Sequence, residues 1–391
     1  MKAGWQARNL GDLCNVIGGG TPPKDKAEYY SGDIPWATVR DMRSELITET
    51  EFRVTPAAVK RSSTNIIPGG NVVIATRVGL GKVCLLGQDT AINQDLRGIV
   101  PINPKVLEVR FLFWWLKSIS DVIVAEGTGA TVQGVKLPFV KGLQLPLPPL
   151  PEQQRIVTLL DEAFNGIATA KAHAEKNLQN ARAIFESHLQ SVFTQRGGEW
   201  TERRLADVCA ITSTLVDPRK SEFLDLIHVG AGNIESKTGA FVELRSAREE
   251  GLISGKFLFD ESMVLYSKIR PYLMKVARPA FNGLCSADMY PLTPISGVAD
   301  KNYLFHLLLS KHFTDYAIEG SARAGMPKVN REHLFEFRVC MPSVGKQREI
   351  SVKLDELHGE TQRLESIYQQ KLTTLDELKK SLLHRAFNGN F

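Results

Sequence analysis

Past Pro151, as far as about Gln195, the chain carries no further proline, and its apolar residues fall on one narrow stripe. Ile156, Leu160, Ala163, Ile167, Ala170 and Ala174 recur at alternating steps of four and three, the spacing of a heptad seam. A further step of four leads to Leu178, then Ala181, Phe185 and Leu189, which places one stutter at Ala174 to Leu178. Pro151 suits a first helical position, Glu152 suits the positive end of the helix dipole, and Gly197–Gly198 supplies a stop. The pattern predicts a helix over 151–196. A second stripe (Ile350, Leu354, Leu357, Thr361, Leu364, Tyr368, Leu372, Leu375) predicts another over 345–391, with its stutter at the matching place. The residues expected to carry the seam are Ile156, Leu160, Ile167 and Leu178 on one helix and Ile350, Leu354, Leu364 and Leu372 on the other. At 1.5 Å per residue, roughly 38 residues span about 57 Å, longer than one turn of DNA. Two helices that are polar except for one such stripe pack most simply on each other. The plainer alternative is that each caps only its own domain.

Ahead of each helix the pattern changes. Short β-type runs (Asn71–Thr76, Met263–Ser267) alternate with helix-like apolar stretches (Val109–Ile119, Asn302–Phe313) and many Gly/Pro turns. That mixture predicts an α/β or α+β domain over 1–150 and another over 197–344. The two halves match at an offset of roughly 191 to 195 residues. Trp5, Leu10, Asp12 and Cys14 return as Trp200, Leu205, Asp207 and Cys209. Val72–Arg77 corresponds to Met263–Lys268, Phe111–Leu112 to Tyr303–Leu304, and Glu126–Thr128 to Glu319–Ser321. Pro148, Gln153 and Ile156 align with Pro342, Gln347 and Ile350. One order kept along the whole length makes the chain a duplicated unit.

Composition narrows the class only a little. With 43% hydrophobic and 23% charged residues over 391 positions, the chain reads as a soluble protein of two domains. The longest apolar runs, such as Phe111–Leu116, are too short for a membrane span, and no basic-then-apolar leader is evident. Five scattered cysteines without a C-x-x-C pair argue against zinc and disulfides and fit a reducing cytoplasm. A net charge of +5 is compatible with a polyanion partner without requiring one.

Candidate catalytic motifs fail one by one. Around Val78–Lys82, Thr76 stands where a phosphate loop needs its first glycine and Val83 where it needs Ser/Thr. No Pro-Asp pair opens a metal-dependent nuclease motif, and Glu377-Leu378-Lys379 falls on a helix, where such residues sit on solvated faces. The N-P-P-[YF] segment of adenine methyltransferases, H-E-x-x-H and G-x-S-x-G are all missing. What remains are basic, glycine-supported loops placed twice: Arg40, Arg77, Lys82, Thr128, Thr131 and Lys136 in the first copy, and Lys268, Arg270, Lys275, Arg323 and Lys328 in the second. Arginine can read guanine edges with two bonds, and lysine can neutralise phosphate. Each cation alone also suits a solvated surface; the doubled set favours DNA. Trp36 and Trp200 read as packing residues rather than stacking platforms.

Taken together, the alternation of domains and long helices, the strand opening Ile34-Pro35-Trp36-Ala37-Thr38, the loop Glu126–Thr131 and the run Pro146–Ile156 resemble the specificity subunits of type I restriction-modification systems. The proline run is degraded in the second copy, at Met341–Gln347. The resemblance implies two target recognition domains, each reading half of a bipartite DNA site, and an antiparallel coiled coil related by an internal pseudo-two-fold repeat. That coil would set the gap and dock modification subunits, two by expectation. It also implies that S-adenosylmethionine, ATP and magnesium belong to modification and restriction subunits, and that this chain binds no cofactor or metal and catalyses nothing. The unlike loops Gly79-Leu80-Gly81 and Arg270-Pro271-Tyr272 predict unlike half-sites. A non-catalytic scaffold would instead lack salt-sensitive DNA binding, and a fused nuclease-methyltransferase would need the motifs that are missing.

Overall fold

The computed structural model describes residues 4–128, 134–194, 198, 200–321 and 327–388. The chain divides into one unit of Met1–Ala174 with Gln370–Phe391 and another of Glu175–Gln369. Two long helices, Leu150–Thr194 and Val344–Phe387, therefore give one part to each unit.

In the first unit a five-stranded sheet runs in the order Cys14–Gly18, Leu96–Pro101, Val72–Ala75, Val83–Leu86, Leu46–Ile47. Its central strand is apolar at every position because both of its faces are covered. Val72 and Ile74 enter the core with helix Val109–Ser118, whose Phe111–Leu116 are all buried. Val73 and Ala75 face a second core shared with the sheet Phe52–Val54, Ile34–Ala37, Thr90–Ile92, Asn65–Ile67. The second unit repeats this plan. Val264–Ser267 lies between Met289–Pro294 and Val276–Ala277, with Val264 and Tyr266 against helix Lys301–Leu309. Met263 and Leu265 enter the core of a separate five-stranded sheet.

These faces correct the repeat alignment by one residue. Val72 shares its side of the strand with Val264, not with Met263, and Ala75 is the counterpart of Ser267. A one-residue slip sends every side chain to the opposite face, so only the offset of 192 keeps both cores intact. Lys268 is then the counterpart of Thr76 rather than Arg77. The amides of both donate to an aspartate carbonyl, Thr76 to Asp95 (2.8 Å) and Lys268 to Asp288 (3.1 Å).

The long helices pair antiparallel within each unit. In the first, Lys171 Nζ meets Asp376 at 2.8 Å and the Lys379 ammonium lies 4.9 Å from the Phe164 ring, so numbers rise on one helix as they fall on the other. Leu383, Ala386 and Phe387 complete the core that holds Ile156, Leu160 and Ile167. In the second unit Arg182 bonds Glu365 at 2.8 Å and Phe185 sits 4.6 Å from His358, with the same sense. Capping of each helix's own domain alone is thereby excluded.

The seam differs in phase from the sequence expectation. Buried or half-buried positions follow Ile156, Leu160, Phe164, Ile167, Lys171, Ala174, Leu178, Ala181, and on the second helix Leu354, His358, Thr361, Glu365, Tyr368, Leu372. A stutter thus falls at Ile156–Leu160–Phe164, because the Phe164 ring packs edge-on against Trp114 (4.7 Å) where Ala163 has too little surface to do so, and the buried Ala181, Phe185 and Leu189 make another. Leu364 leaves the seam and is 37% exposed. Ile350 is half-buried against its domain's core.

Two polar anchors, one buried and one half-buried, tie each helix to its domain. Gln153 and Gln347 are fully buried. The Gln153 amide accepts from Glu108 N (2.9 Å) and donates to the carbonyls of Val106 and Pro148 (both 2.8 Å). Gln347 does the same with Asp300, Val298 and Pro342, each at 2.9 Å. Two turns further, Asp161 accepts from Trp114 Nε1 (2.9 Å) and Arg110 (2.7 Å). Its counterpart Asp355 accepts from Arg278 through both nitrogens (2.8 and 2.6 Å) and pairs with His306 Nε2 at 2.9 Å.

That last difference makes the second unit acid-sensitive. Burial pushes His306, His358 and His228 below the usual histidine range, although Asp355 pulls His306 and Glu250 pulls His228 the other way. Burial acts to raise the Asp355 carboxyl, but the bonds from His306 and Arg278 outweigh it and hold it well below the carboxylate range. The buried Nδ1 atoms of His306 and His358 have no hydrogen-bond partner among the described residues, so a second proton on either ring has no acceptor there. The unfolded chain binds these protons near pH 6.5 and the folded one resists, so stability is lost as pH falls through that value. Trp114 and Phe164 occupy the corresponding places in the first unit and do not titrate. Hydrogen exchange at pH 7.5 and 5.5 should show protection lost in the second unit first; equal loss in both would contradict this.

Candidate nucleic-acid interface

Each unit builds one loop between the central strand of its sheet and the next. In the first, the Ala75 amide donates to Lys82 O (3.0 Å) and closes the loop Thr76–Lys82. Gly79 and Gly81 take left-handed φ values of 71° and 82°. A methyl group on Gly79 would lie 2.7 Å from the Val39 side chain, and one on Gly81 2.8 Å from Val124, so both positions require glycine. These approaches set the loop between the turn Val39–Asp41 and helix Ser120–Ala125. On its other side the Val135 amide donates to Thr76 O (2.9 Å), and Thr128 and Gly134 exchange backbone bonds.

The cations of the first copy are thereby neighbours. Arg40, Arg77, Lys82, Thr128 and Lys136 are all exposed. Arg77 stands 3.6 Å from Asp95 and Arg40 3.5 Å from Glu51, each beside an acid that limits its wandering without burying its charge. Lys136 stands at the N-cap position of the short helix Leu137–Gly142, without a capping bond from its side chain. Thr131 lies outside the described residues. Trp36 is buried, its indole donating to Gly20 O (3.2 Å), and Trp200 is half-buried.

The second copy repeats the wiring. The Ser267 amide donates to Lys275 O (3.0 Å), Val329 N to Lys268 O (2.8 Å) and Arg270 N to Pro327 O (2.9 Å). Arg270 and Lys328 are exposed, whereas Lys268 and Lys275 point their charges inward. The Lys268 ammonium bonds Ala287 O, lies 3.6 Å from Asp288 and sits 5.4 Å from the Tyr290 ring; burial lowers its proton affinity. Lys275 Nζ donates to Ala231 O at 2.6 Å. These two lysines brace the loop instead of offering charge to a ligand. Arg323 lies outside the described residues. Arg40 has Gly232 as its counterpart, since Thr38–Asp41 and Gly230–Asn233 form the same capped turn, so the second copy carries no cation at that place.

Among the described residues of either loop set, nothing is arranged for bond-making chemistry. Burial raises the thiols of Cys14, Cys209 and Cys285 to about 12 and that of Cys84 to about 11, far from a reactive thiolate. Among the described residues no group of three His, Cys, Asp or Glu is placed to hold a metal, and no helix is long and apolar enough to cross a membrane. What the loops can do is present Arg, Lys and small residues at fixed positions beyond the end of a strand, twice.

The comparisons with known proteins bear on the chain as a whole. The family model for the type I restriction modification DNA specificity domain matches twice, at residues 2–179 and 197–374. The specificity subunit of the type I restriction enzyme EcoDI from Escherichia coli is 29% identical over 321 residues, which cover 74% of this chain and 71% of that protein. Among solved structures, a chain from work on complex assembly and conformational transition of the type I R-M system superposes with a TM-score of 0.79 at 18% identity, covering 100% of this chain and 99% of that one. The HsdS subunit from Thermoanaerobacter tengcongensis gives 0.66 at 18% identity over 100% and 98%.

Proposed function

The chain belongs to the type I restriction-modification DNA specificity family, and from that footing we propose that it is the DNA-reading subunit of such a complex, one half-site per domain. The observation that carries this reading is the loop built twice with the same backbone bonds and tipped with different residues. Identical frames hold identical positions on a duplex; unlike tips read unlike bases. The site is therefore bipartite and asymmetric, and the antiparallel helix pair sets the gap.

The helix pair also docks the modification subunits, two of them, since the chain offers each helix-to-domain junction twice. Those subunits carry S-adenosylmethionine and methylate adenine; restriction subunits carry ATP, magnesium and cleavage. This chain supplies neither chemistry, binds no cofactor, and works in the cytoplasm. A scaffold without DNA contact is the rival, and the exposed Arg40, Arg77, Lys82, Arg270 and Lys328 beside the loops weigh against it.

The test is binding of the chain, assembled with its modification subunits, to duplexes at several salt concentrations. Lys82→Ala should weaken every sequence alike and reduce the salt slope by about one charge. Arg270→Ala should cost about 1–3 kcal/mol and relax preference at one position of one half-site. Full affinity, unchanged preference and an unchanged salt slope in both variants would contradict a DNA-facing role for these loops.

A further inference from the structure

The two loop tips are built by opposite means. In the first copy glycine takes both left-handed positions, and the exposed Val78 stands beside them. In the second the left-handed residues are Arg270 (φ 50°) and Met274 (φ 49°), four apart instead of two, a conformation that side chains with a Cβ resist. Such strain persists only where the surroundings over-determine it. Here they do: Arg270 N donates to Pro327 O, Leu273 N to Arg270 O and Met274 N to Pro271 O, each at 2.9 Å, and Lys237 N donates to Met274 O at 3.1 Å. Pro271 is buried.

The outcome of that pinning is Tyr272, at the centre of the turn Pro271–Leu273. It is 52% exposed, and no hydrogen bond, ion pair or ring contact holds it among the described residues. A large planar ring is thus raised on a rigid, strained support, in the same loop as the exposed Arg270 and beside the bridge that joins Ile269 to Lys328. A flexible loop would fold such a ring back onto the protein; this one is denied the freedom to do so.

We propose that Tyr272 enters a base step of the half-site read by the second copy and stacks its ring on a base face. This rests on the DNA-reading function and adds the means by which one half-site is read. Opening a base step needs a support that does not yield, which the doubly left-handed turn supplies. Leu80, the residue 192 positions earlier, is aliphatic, packs partly against its own unit's core and has no face to stack, so the first copy contacts its half-site without opening it.

The experiment uses the chain with its modification subunits and duplexes that carry the site mapped from host methylation, with 2-aminopurine at successive positions. Fluorescence should rise at one step within one half-site, with Tyr272→Phe retaining the rise. Tyr272→Ala should lose it and bind roughly tenfold to a hundredfold more weakly, with an unchanged salt slope. A rise at the methylated adenine itself reports flipping of the target by the modification subunit and should persist in every variant. If Tyr272→Ala keeps the half-site signal, or wild type shows none there, the stacking role is overturned. Loss of discrimination between thymine and uracil without any fluorescence change would likewise replace stacking by methyl contact. Salt-insensitive or undetectable DNA binding by the wild-type complex would instead overturn the DNA-reading function.

Discussion

Four residues inserted after Ala174 together with four after Gln369 lengthen the gap in the methylated site by about two base pairs and leave both half-sites unchanged. At 1.5 Å per residue each helix grows by about 6 Å, against a rise of about 3.4 Å per base pair. Both insertion points lie where the chain passes from one unit into the other, so neither domain is disturbed. Inserting in both helices keeps the facing pairs together: Lys171 with Asp376 on one side, Arg182 with Glu365 on the other. Four residues make one seam step and overshoot a full turn by about 40°, which a polar-faced pair absorbs along its length. Insertion in the first helix alone should slip one of these pairs and cost assembly instead. A methylation map with the gap unchanged in the double insertion would refute the spacer role.

Gln347→Leu should destabilise the second unit by about 3 kcal/mol or more, and Gln153→Leu the first by a similar amount. Leucine nearly conserves volume, so the loss is one of hydrogen bonding rather than of packing. Each substitution strands one amide and two carbonyls in a place where the glutamine itself is fully buried, and a stranded buried group costs about 1–3 kcal/mol. Denaturant unfolding followed by hydrogen exchange should locate each loss in its own unit. A loss below about 1 kcal/mol would mean that water reaches these groups.

Periodicity made most of the architecture legible. The duplication, both long helices and the helix Val109–Ser118 follow from spacing that any packing of the chain must respect. Register was another matter. Met263-Val264-Leu265 is apolar throughout, and a run with no alternation does not say which residue faces which core. The position of the stutter is hidden for a related reason, since Ala163 and Phe164 are both apolar and only the contact with Trp114 chooses between them.

The loops were found, but not the direction of each charge. Lys268 and Lys275 turn inward because Ala287, Asp288 and Ala231 stand behind them, and those neighbours come from distant strands and turns. The repeat flagged Gln153 and Gln347 without explaining them; their carbonyl partners are backbone, which leaves no trace in side-chain type. Asp161 and Asp355 escaped notice because Trp114 in one copy and His306 in the other fill the same donor place with different chemistry. Tyr272 leaves one trace in the sequence, as an aromatic residue after a proline in a loop with no glycine to turn it.

The central claim is that each domain reads one half of a divided site. Mapping every methylated adenine in a genome exposed to this chain and its modification subunits tests it most directly. The account predicts one motif of two unlike half-sites separated by a fixed run of unspecified bases. A single uninterrupted motif, or two identical half-sites in inverted order, would contradict it.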